Sequence, residues 1–346
     1  MKAVQVRATG GREALELSEL PDPAPGKDEV LVRVCISGVN FIDVYYREGK
    51  YKAPLPFIPG LEGAGYVEAL GEGVSEFSVG DAVVWFGMLG SYAEKAVVPA
   101  QRLLKVLPGM SLDISAALIS QGLTAYFLSH LTFALEPGKT CIVHAAAGGV
   151  GSLLTQMAKN AGAKVIATVS SAQKAELARN AGADEVILYT ETDFYQQVMN
   201  ITNREGVDVV YDGVGQTTFE QSLKCLRPRG LLALYGAASG PVPPFDLGRL
   251  AQMGSLYITR PITLDYVRTR EELTSIVYAV FRMYQDGQLK VRVNPPYALR
   301  DVAIAHMDLE SRKTTGKLLL AICPATMATS IREFVAGTGH TEKLMR

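Results

Sequence analysis

The sequence predicts an α/β protein in which a doubly wound parallel sheet is inserted into a mostly antiparallel β-barrel domain. Three features of the chain lead to this prediction. Short β-rich runs separated by turns extend to about residue 107, strand and helix patterns then alternate to about residue 260, and no strand–helix repeat follows. With 346 residues, of which 48% are hydrophobic, the chain can bury the cores of two domains.

The first part of the chain has the pattern of short strands. Apolar and β-branched residues dominate the runs 29–34, 65–70 and 81–85, and proline and glycine separate these runs. Frequent turns without a long helical period favour a compact antiparallel barrel.

The middle of the chain alternates between strands and helices. Ser111 can cap a helix that passes through Leu118, and Gly122 opens another helical stretch. The next strand-like runs are 141–144, 164–168, 185–188, 207–211 and 231–235, and the helical segments between them are 151–161, 172–180, 194–201 and 219–225. This repeat is typical of a parallel doubly wound sheet of the Rossmann type.

The last part of the chain contains a helical pattern over 270–285 and strand-like runs at 290–293 and 317–320. Because no strand–helix repeat remains to be completed, we assign this part to the first domain. The expected domains are therefore 1–123 together with 261–346, and 124–260. The tail from Pro324 is polar and mixed.

Composition and charge exclude several classes of protein. With 34 basic and 35 acidic residues, the net charge of -1 argues against nucleic acid and anionic membranes as partners. No run approaches the roughly 20 apolar residues of a membrane span, and the alternating first residues do not resemble a signal peptide. The four cysteines are far apart, which indicates buried free thiols and no metal. We expect a cytoplasmic protein.

The turn at residues 144–151 predicts a dinucleotide site. It lies between the first strand and the first helix of the repeat, where a pyrophosphate can lie on the backbone amides of the helix start. Ala146 replaces the usual first glycine, so the prediction depends mainly on the position of the turn. A tight turn without a ligand is the alternative.

The end of the second strand of the repeat favours NADPH over NADH. An acidic residue about 20 positions after the glycines would bind the ribose hydroxyls of NADH. The sequence has Ser170 and Ser171 there, which leave room for a phosphate, and Lys174 supplies a cation. A solvated lysine in a helix is the alternative.

Taken together, these features resemble the quinone oxidoreductase and zeta-crystallin branch of the medium-chain dehydrogenase/reductase superfamily over about residues 1–322. The segments that carry the resemblance are 38–43, 59–65, 79–81, 146–151, 210–215 and 254–257. The resemblance implies a GroES-like catalytic domain around an NADPH-binding Rossmann domain, with the chemistry in the cleft between them. It also implies a homodimer or homotetramer.

The resemblance further implies a zinc-independent enzyme. Zinc-dependent members carry a catalytic cysteine and a Gly-His-Glu segment, whereas Leu61 replaces that histidine and no cysteine lies near Asn40. The four close cysteines of a structural zinc lobe are also absent from the sequence. Without a Lewis acid, alcohol dehydrogenation in the zinc manner is not expected.

Site residues are carried over by the same resemblance. Asn40 and Tyr45 would face the nicotinamide and the substrate, and Tyr51 would line the mouth of the site. The implied cofactor-binding residues are Phe41, Thr124, Ala147, Gly148, Gly149, Val150, Gly151, Ser170, Ser171, Lys174, Tyr189, Val214, Ala238, Ser239, Tyr257, Ile258, Thr259 and Lys317. The alternatives are a turn residue for Asn40 and half-buried aromatic residues for the tyrosines.

The implied activity is the NADPH-dependent reduction of a quinone by direct hydride transfer. A second hypothesis is the reduction of enones, other α,β-unsaturated carbonyls or enoyl thioesters. A third is a non-catalytic, RNA-binding or crystallin-like protein, which the balanced charge argues against because phosphate contacts need clustered lysine and arginine.

Overall fold

The computed structural model describes residues 1–323 and divides the chain into two compact units. The first unit comprises Met1–Ser120 and the described residues from Val293 onward, and the second comprises Gln121–Arg292. Segment 261–292 thus belongs to the second unit, whereas the sequence assigns it to the first domain. The predicted tail after Pro324 lies outside the described residues.

Strands and helices are numbered in chain order within the described residues. The strands are β1 (Lys2–Gln5), β2 (Glu16–Glu19), β3 (Glu29–Val39), β4 (Glu62–Leu70), β5 (Ala82–Phe86), β6 (Lys95–Pro99), β7 (Leu103–Lys105), β8 (Thr140–His144), β9 (Lys164–Val169), β10 (Glu185–Leu188), β11 (Val207–Asp212), β12 (Leu226–Leu234), β13 (Tyr257–Thr259), β14 (Tyr297–Ala298) and β15 (Leu318–Ala321). The helices are α1 (Phe41–Arg47), α2 (Leu112–Tyr126), α3 (Gly149–Asn160), α4 (Ala172–Asn180), α5 (Phe194–Ile201), α6 (Phe219–Lys224), α7 (Gly248–Gln252), α8 (Arg270–Gln285) and α9 (Val302–Glu310). None of these helices is long and apolar enough to cross a bilayer.

The second unit contains the predicted parallel sheet. Its strand order is β10-β9-β8-β11-β12-β13, and every pairing is parallel. This is the doubly wound strand order. From β8, successive strands are added on one side up to β10, and the chain then crosses back to add β11, β12 and β13 on the other side of β8. Apolar side chains from the strands and from helices α5 and α6, including Ile142, Val210 and Phe219, form its core.

The segment after β13 packs inside the second unit. Tyr266 stacks on the ring of Phe127 with centroids 4.2 Å apart, and its hydroxyl lies 2.8 Å from Thr132 Oγ1. The Gln156 side chain hydrogen-bonds the backbone of Lys290 through both its oxygen and its nitrogen. These contacts explain the difference from the predicted boundary, because the partners of Tyr266 and Lys290 lie more than 100 positions earlier in the chain and leave no local pattern in the sequence.

Helix α8 has the predicted bounds, but two neighbouring predictions differ from the structure. The helical stretches predicted from Ser111 and Gly122 form one helix, α2, which continues into a wider π-helical turn over Phe127–Thr132. The strand predicted at 290–293 is reduced to a single bridge between Val293 and Lys317.

The first unit is organised around β3, the longest strand of its sheet. The order is β14-β15-β3-β4-β5-β7, and β6 also pairs with β3. Strand β6 pairs with residues 29–33 of β3 and β15 pairs with residues 36–39, all antiparallel. The pairings of the described residues run from β14 to β7 without joining these two ends, so the predicted closure into a barrel is not confirmed.

The prediction of four free thiols is wrong for two of them. Strand β15 runs antiparallel to β3 with Ala321 opposite Ile36, and this register brings Cys323 beside Cys35. The two form a disulfide with their Cα atoms 4.5 Å apart. Cys141 and Cys225 are free and buried, and burial raises the pKa of the Cys225 thiol to about 12. A pairing over 288 positions leaves no signal in local spacing.

A directed chain of hydrogen bonds joins α1 to α9 in the first unit. Arg47 Nη1 lies 3.2 Å from His306 Nδ1, and because arginine only donates, this nitrogen is the acceptor. His306 Nε2 then donates to the Tyr92 hydroxyl, which donates to Asp43 Oδ2 at 3.1 Å. Asp43 Oδ1 is buried without a partner in the described residues. Glu310 accepts from Arg47 at 2.6 Å, so the chain ends at a partly exposed carboxylate.

The disulfide predicts the outcome of a thiol titration. Protein purified and denatured without reductant should show two reactive thiols, from Cys141 and Cys225, and reduction should raise the number to four. The Cys323→Ser variant should show three thiols without reductant, because Cys35 loses its partner. Four thiols in the unreduced parent protein would contradict the pairing.

The buried carboxyl of Asp43 predicts a pH-dependent stability. Burial raises its pKa from 3.8 to about 7, and the charge of Glu62 also raises it. The backbone N–H of Asn40 lowers it, as do Lys317 and Tyr92. Between these values the folded protein binds the proton more tightly than the unfolded chain, so the contribution of Asp43 to stability falls as pH rises. As pH rises through this window, the free energy of unfolding of Asp43→Asn should therefore increase relative to that of the parent protein, by at most on the order of 4 kcal/mol.

Urea denaturation followed by the fluorescence of Trp85, the single tryptophan, reports on the first unit. The comparison with the parent protein is necessary because burial also lowers the pKa of His306 to about 3. The contribution of His306 to stability rises with pH between about pH 3 and 6.5, opposite to that of Asp43. Because His306 is present in both proteins, this contribution cancels in the comparison. A difference between variant and parent that does not change with pH would refute the assignment to Asp43.

Candidate functional site

The glycine-rich turn lies at the start of helix α3, as the sequence predicts. Gly148 N donates to Ala145 O at 2.9 Å, and the helix begins at Gly149. A Cβ on Gly151 would overlap the carbonyl oxygen of Ala145, so only glycine lets α3 approach the end of β8 this closely. The first amides of a helix have no partner within it, which is the arrangement at which anions bind in other proteins.

A cation and three side chains with hydroxyl groups lie at the carboxyl ends of β9 and β10. Ser170 and Ser171 follow β9, and the Ser171 hydroxyl accepts from Lys174 N at 3.4 Å to cap α4. Tyr189 follows β10, is 45% exposed, and donates its amide to Val169 O at 3.2 Å. The parallel sheet thus brings four predicted residues together at the carboxyl ends of its strands. Burial lowers the pKa of the half-buried Lys174.

Asp212 organises the turn after β11. Its Oδ1 accepts the amides of Val214 at 2.8 Å and of Gly215 at 3.0 Å, and its Oδ2 accepts the hydroxyls of Thr218 and Ser222. A buried carboxylate with four donors holds this backbone rigidly at the carboxyl edge of the sheet.

His144 extends the same network. Its Nε2 lies 3.0 Å from the Ser222 hydroxyl and its Nδ1 lies 2.7 Å from the Thr168 hydroxyl, so the ring joins the ends of β8 and β9 to α6. Burial lowers the pKa of His144, while Asp212 raises it. These contacts account for His144 as a structural residue.

Other predicted residues of the second unit lie on the loops after β11 and β12 and on helix α2. Ser239 donates its hydroxyl and its amide to Val214 O, each at 2.8 Å. Ala238 N donates to Gly213 O at 3.3 Å, so the loop after β12 lies on the turn after β11. Thr124 lies on α2 with its hydroxyl 3.5 Å from that of Thr263.

Tyr257, Ile258 and Thr259 form the edge strand β13. Ile258 packs on the core, while Tyr257 is exposed on the other face. Strand β13 therefore offers backbone groups and one aromatic side chain at the edge of the sheet.

In the first unit, Asn40 belongs to a buried polar cluster. Its Nδ2 donates to Glu62 Oε1 at 2.6 Å, and its Oδ1 accepts from Lys317 Nζ at 2.8 Å. Lys317 also forms an ion pair with Glu62, and both side chains are fully buried. This position of Lys317 differs from the predicted contact with the nucleotide. The ammonium of Lys317 has no exposed surface and is bound by Glu62 and Asn40.

The sequence prediction missed Glu62. The only signal was a carboxylate at the start of an apolar strand, directly after Leu61. Its importance depends on Lys317, which lies 255 positions away.

An aromatic cluster surrounds the predicted tyrosines. Tyr45 and Tyr51 meet edge to face with ring centroids 5.5 Å apart, and Tyr51 is 40% exposed. Phe41 lies one helical turn before Tyr45, with centroids 6.5 Å apart. Tyr46, which the prediction missed, contacts Tyr51 and Phe57. Such a surface suits a flat, apolar ring, because aromatic groups pack edge to face or offset.

Comparisons with known proteins identify the family. The family described as zinc-binding dehydrogenase matches residues 149–277, and the alcohol dehydrogenase GroES-like domain matches residues 26–108. The quinone oxidoreductase of Pseudomonas aeruginosa is 44% identical over 321 residues, which cover 92% of this chain and 99% of the relative. The 2-haloacrylate reductase of Burkholderia sp is 39% identical over 327 residues, covering 92% and 98%.

A solved structure agrees with these matches. The crystal structure of Escherichia coli quinone oxidoreductase complexed with NADPH is 41% identical and superposes with a TM-score of 0.91, covering 93% of this chain and 100% of that one. These findings confirm the resemblance and the combination of a GroES-like with a Rossmann domain. The chain belongs to the quinone oxidoreductase branch of the medium-chain dehydrogenase/reductase superfamily and is an oxidoreductase.

Proposed function

We propose that the protein is an NADPH-dependent quinone reductase that transfers hydride directly to a quinone without zinc. The observation that carries the proposal is the carboxyl end of the Rossmann sheet, where the glycine turn follows β8 and hydroxyl groups and Lys174 follow the neighbouring strands β9 and β10. Membership of the quinone oxidoreductase branch supports the choice of acceptor.

The residues of the second unit fit NADPH. The amides of the turn 147–151 would hold the pyrophosphate, and Ser170, Ser171, Lys174 and Tyr189 would hold the 2′-phosphate. The remaining predicted contacts of this unit, Thr124, Val214, Ala238, Ser239 and Tyr257–Thr259, would surround the nucleoside and nicotinamide parts. Bound NADPH supplies the hydride.

The donor set argues against catalytic zinc. Leu61, a buried apolar residue, occupies the position at which zinc-dependent members have histidine. Within residues 1–323, no group of three or more histidine, cysteine, aspartate or glutamate side chains is arranged to hold a metal. Zinc prefers nitrogen and sulfur donors in a tetrahedral set, which these positions do not offer.

The first unit would bind and orient the acceptor. The rings of Tyr45 and Tyr51 offer an apolar surface for a quinone ring, and Asn40 offers a hydrogen-bond donor. Phe41, which packs against Tyr45, would contact the cofactor. Hydride addition gives the hydroquinone anion, which takes one proton from water or from a tyrosine hydroxyl. Because a quinone is electron-poor, positioning is the main requirement of this reaction.

A second candidate is the reduction of an activated carbon–carbon double bond. The 39% identity with a 2-haloacrylate reductase over nearly the whole chain favours it. The two reactions need the same cofactor and differ in the shape and polarity of the acceptor site.

Activity measurements should distinguish these candidates. We expect 1,4-benzoquinone and 9,10-phenanthrenequinone to accelerate the loss of nicotinamide absorbance with NADPH, and a chelator to leave the rate unchanged. An enone and a 2-haloacrylate should be assayed in parallel. Turnover of these substrates alone would replace the quinone proposal, and a loss of activity on chelation, reversed by zinc, would refute the zinc-free mechanism.

Lys174 should determine the preference for NADPH. Lys174→Ala should weaken NADPH binding roughly 10- to 100-fold, because a charge-assisted hydrogen bond contributes about 1.5–3 kcal/mol. NADH binding should not change, since NADH lacks the 2′-phosphate. Fluorescence titration measures both constants, and Lys224→Ala, at an exposed position of α6, serves as the control. Equal weakening of both cofactors would refute the assignment.

A further inference from the structure

We propose that Glu62 and Lys317 are positioning residues that fix the side-chain amide of Asn40, so that one N–H of Nδ2 is kept as a donor for the oxygen of the acceptor. This inference rests on the proposed reductase function. It assigns Lys317 to the acceptor site instead of the nucleotide site, and it adds Glu62 to that site.

Three adjacent strands bring the cluster together. Asn40 directly follows β3, Glu62 is the first residue of β4, and Lys317 directly precedes β15. In the register of the sheet, Gly63 lies opposite Ser37 and Leu318 lies opposite Val39, so the three side chains meet at one end of β3.

Gly38 makes room for the ion pair. A Cβ at this position would overlap the Glu62 carboxylate and would lie 2.7 Å from Lys317 Nζ. The backbone of Gly38 is not in the left-handed region, so the requirement for glycine here is space.

The chemistry of the three groups fixes the orientation of the amide. Lysine only donates, so the atom of Asn40 that faces Lys317 Nζ must be Oδ1. An ionised carboxylate only accepts, so the atom that faces Glu62 must be Nδ2. Both contacts agree with each other, and a flipped amide would lose both.

This orientation leaves one donor. Of the two N–H groups on Asn40 Nδ2, one is used by Glu62, and no acceptor within residues 1–323 receives the other. Asn40 is partly exposed, whereas Glu62 and Lys317 are fully buried. Asn40 is therefore the member of the cluster that can reach a bound molecule.

The ion pair is poorly arranged for a purely structural role. Glu62 Oε2 is buried without a partner in the described residues, although burying an unsatisfied carboxylate oxygen is costly. Replacing a buried ion pair with apolar residues of similar size is often neutral or stabilising. A role in orienting Asn40 explains why such a pair lies at this position.

The cluster would act by fixing the donor. Lys317 polarises the amide through Oδ1 and strengthens the remaining N–H, whereas the carboxylate of Glu62 on the other N–H has the opposite effect. As hydride reaches the acceptor, negative charge develops on its oxygen, and a fixed donor stabilises this charge without reorganisation.

The test compares Asn40→Ala, the double variant Glu62→Leu/Lys317→Met, and the triple variant that combines them. Each of the first two should lower kcat roughly 100- to 1000-fold with little change in NADPH affinity, as expected for the loss of one oriented donor. The triple variant should be no slower than the double variant, because both changes act through the same N–H. The single variant Lys317→Arg keeps Glu62 and a positively charged donor at position 317. Its kcat should therefore lie between those of the parent protein and the double variant.

The matched control is Arg33→Leu/Glu68→Leu, which removes a more exposed ion pair between β3 and β4 and should leave kcat unchanged. Independent, multiplicative losses in the triple variant would overturn the positioning role, as would a parallel fall in NADPH affinity. If the double variant does not fold, Lys317→Arg and Asn40→Ala still decide: full activity of Asn40→Ala overturns the inference. A parent protein that reduces no acceptor would overturn the proposed function as well.

Discussion

The pairing of β3 with strands from distant parts of the sequence is the constraint on which the first unit depends. Residues 29–39 form ladders with residues 62–70, 95–99 and 318–321. Since the side chains of a strand alternate between two faces, a slip of one residue in any ladder would move every side chain to the wrong face. The meeting of Asn40 with Glu62 and Lys317, and of Cys35 with Cys323, follows directly from this register.

Local patterns in the sequence predicted most elements of the second unit, but in the first unit they predicted the strands β3, β4, β5 and β15 and missed others, such as β6 and α1. The period of strands and helices was sufficient for the parallel sheet, for α8 and for the glycine turn, because each depends on neighbours in the chain. The packing of segment 261–292 in the second unit, the disulfide and the burial of Lys317 could not be predicted, since each depends on residues more than 100 positions away. The continuous helix α2 shows a smaller error, in which Gly122 was taken as a boundary although a buried helix can contain a glycine.

The two candidate sites differ in how far they could be predicted. The nucleotide site consists of residues that follow parallel strands, so position in the chain indicated Ser170, Ser171 and Lys174, and the resemblance added Tyr189. The acceptor side is built from separate segments, and there the resemblance indicated Asn40, missed Glu62 and assigned Lys317 to the nucleotide. A side chain that acts through another side chain has no spacing rule by which it can be recognised.

The position of β15 has a consequence for the folding of the chain during synthesis. All six strands of the second unit lie within residues 140–259, so its sheet can form as soon as this part has left the ribosome. The sheet of the first unit lacks an inner strand until residues 318–321 arrive, although its other long strands are made first. The middle of the chain can therefore fold before the beginning, and the nascent amino-terminal strands must wait with one side of β3 partly unpaired.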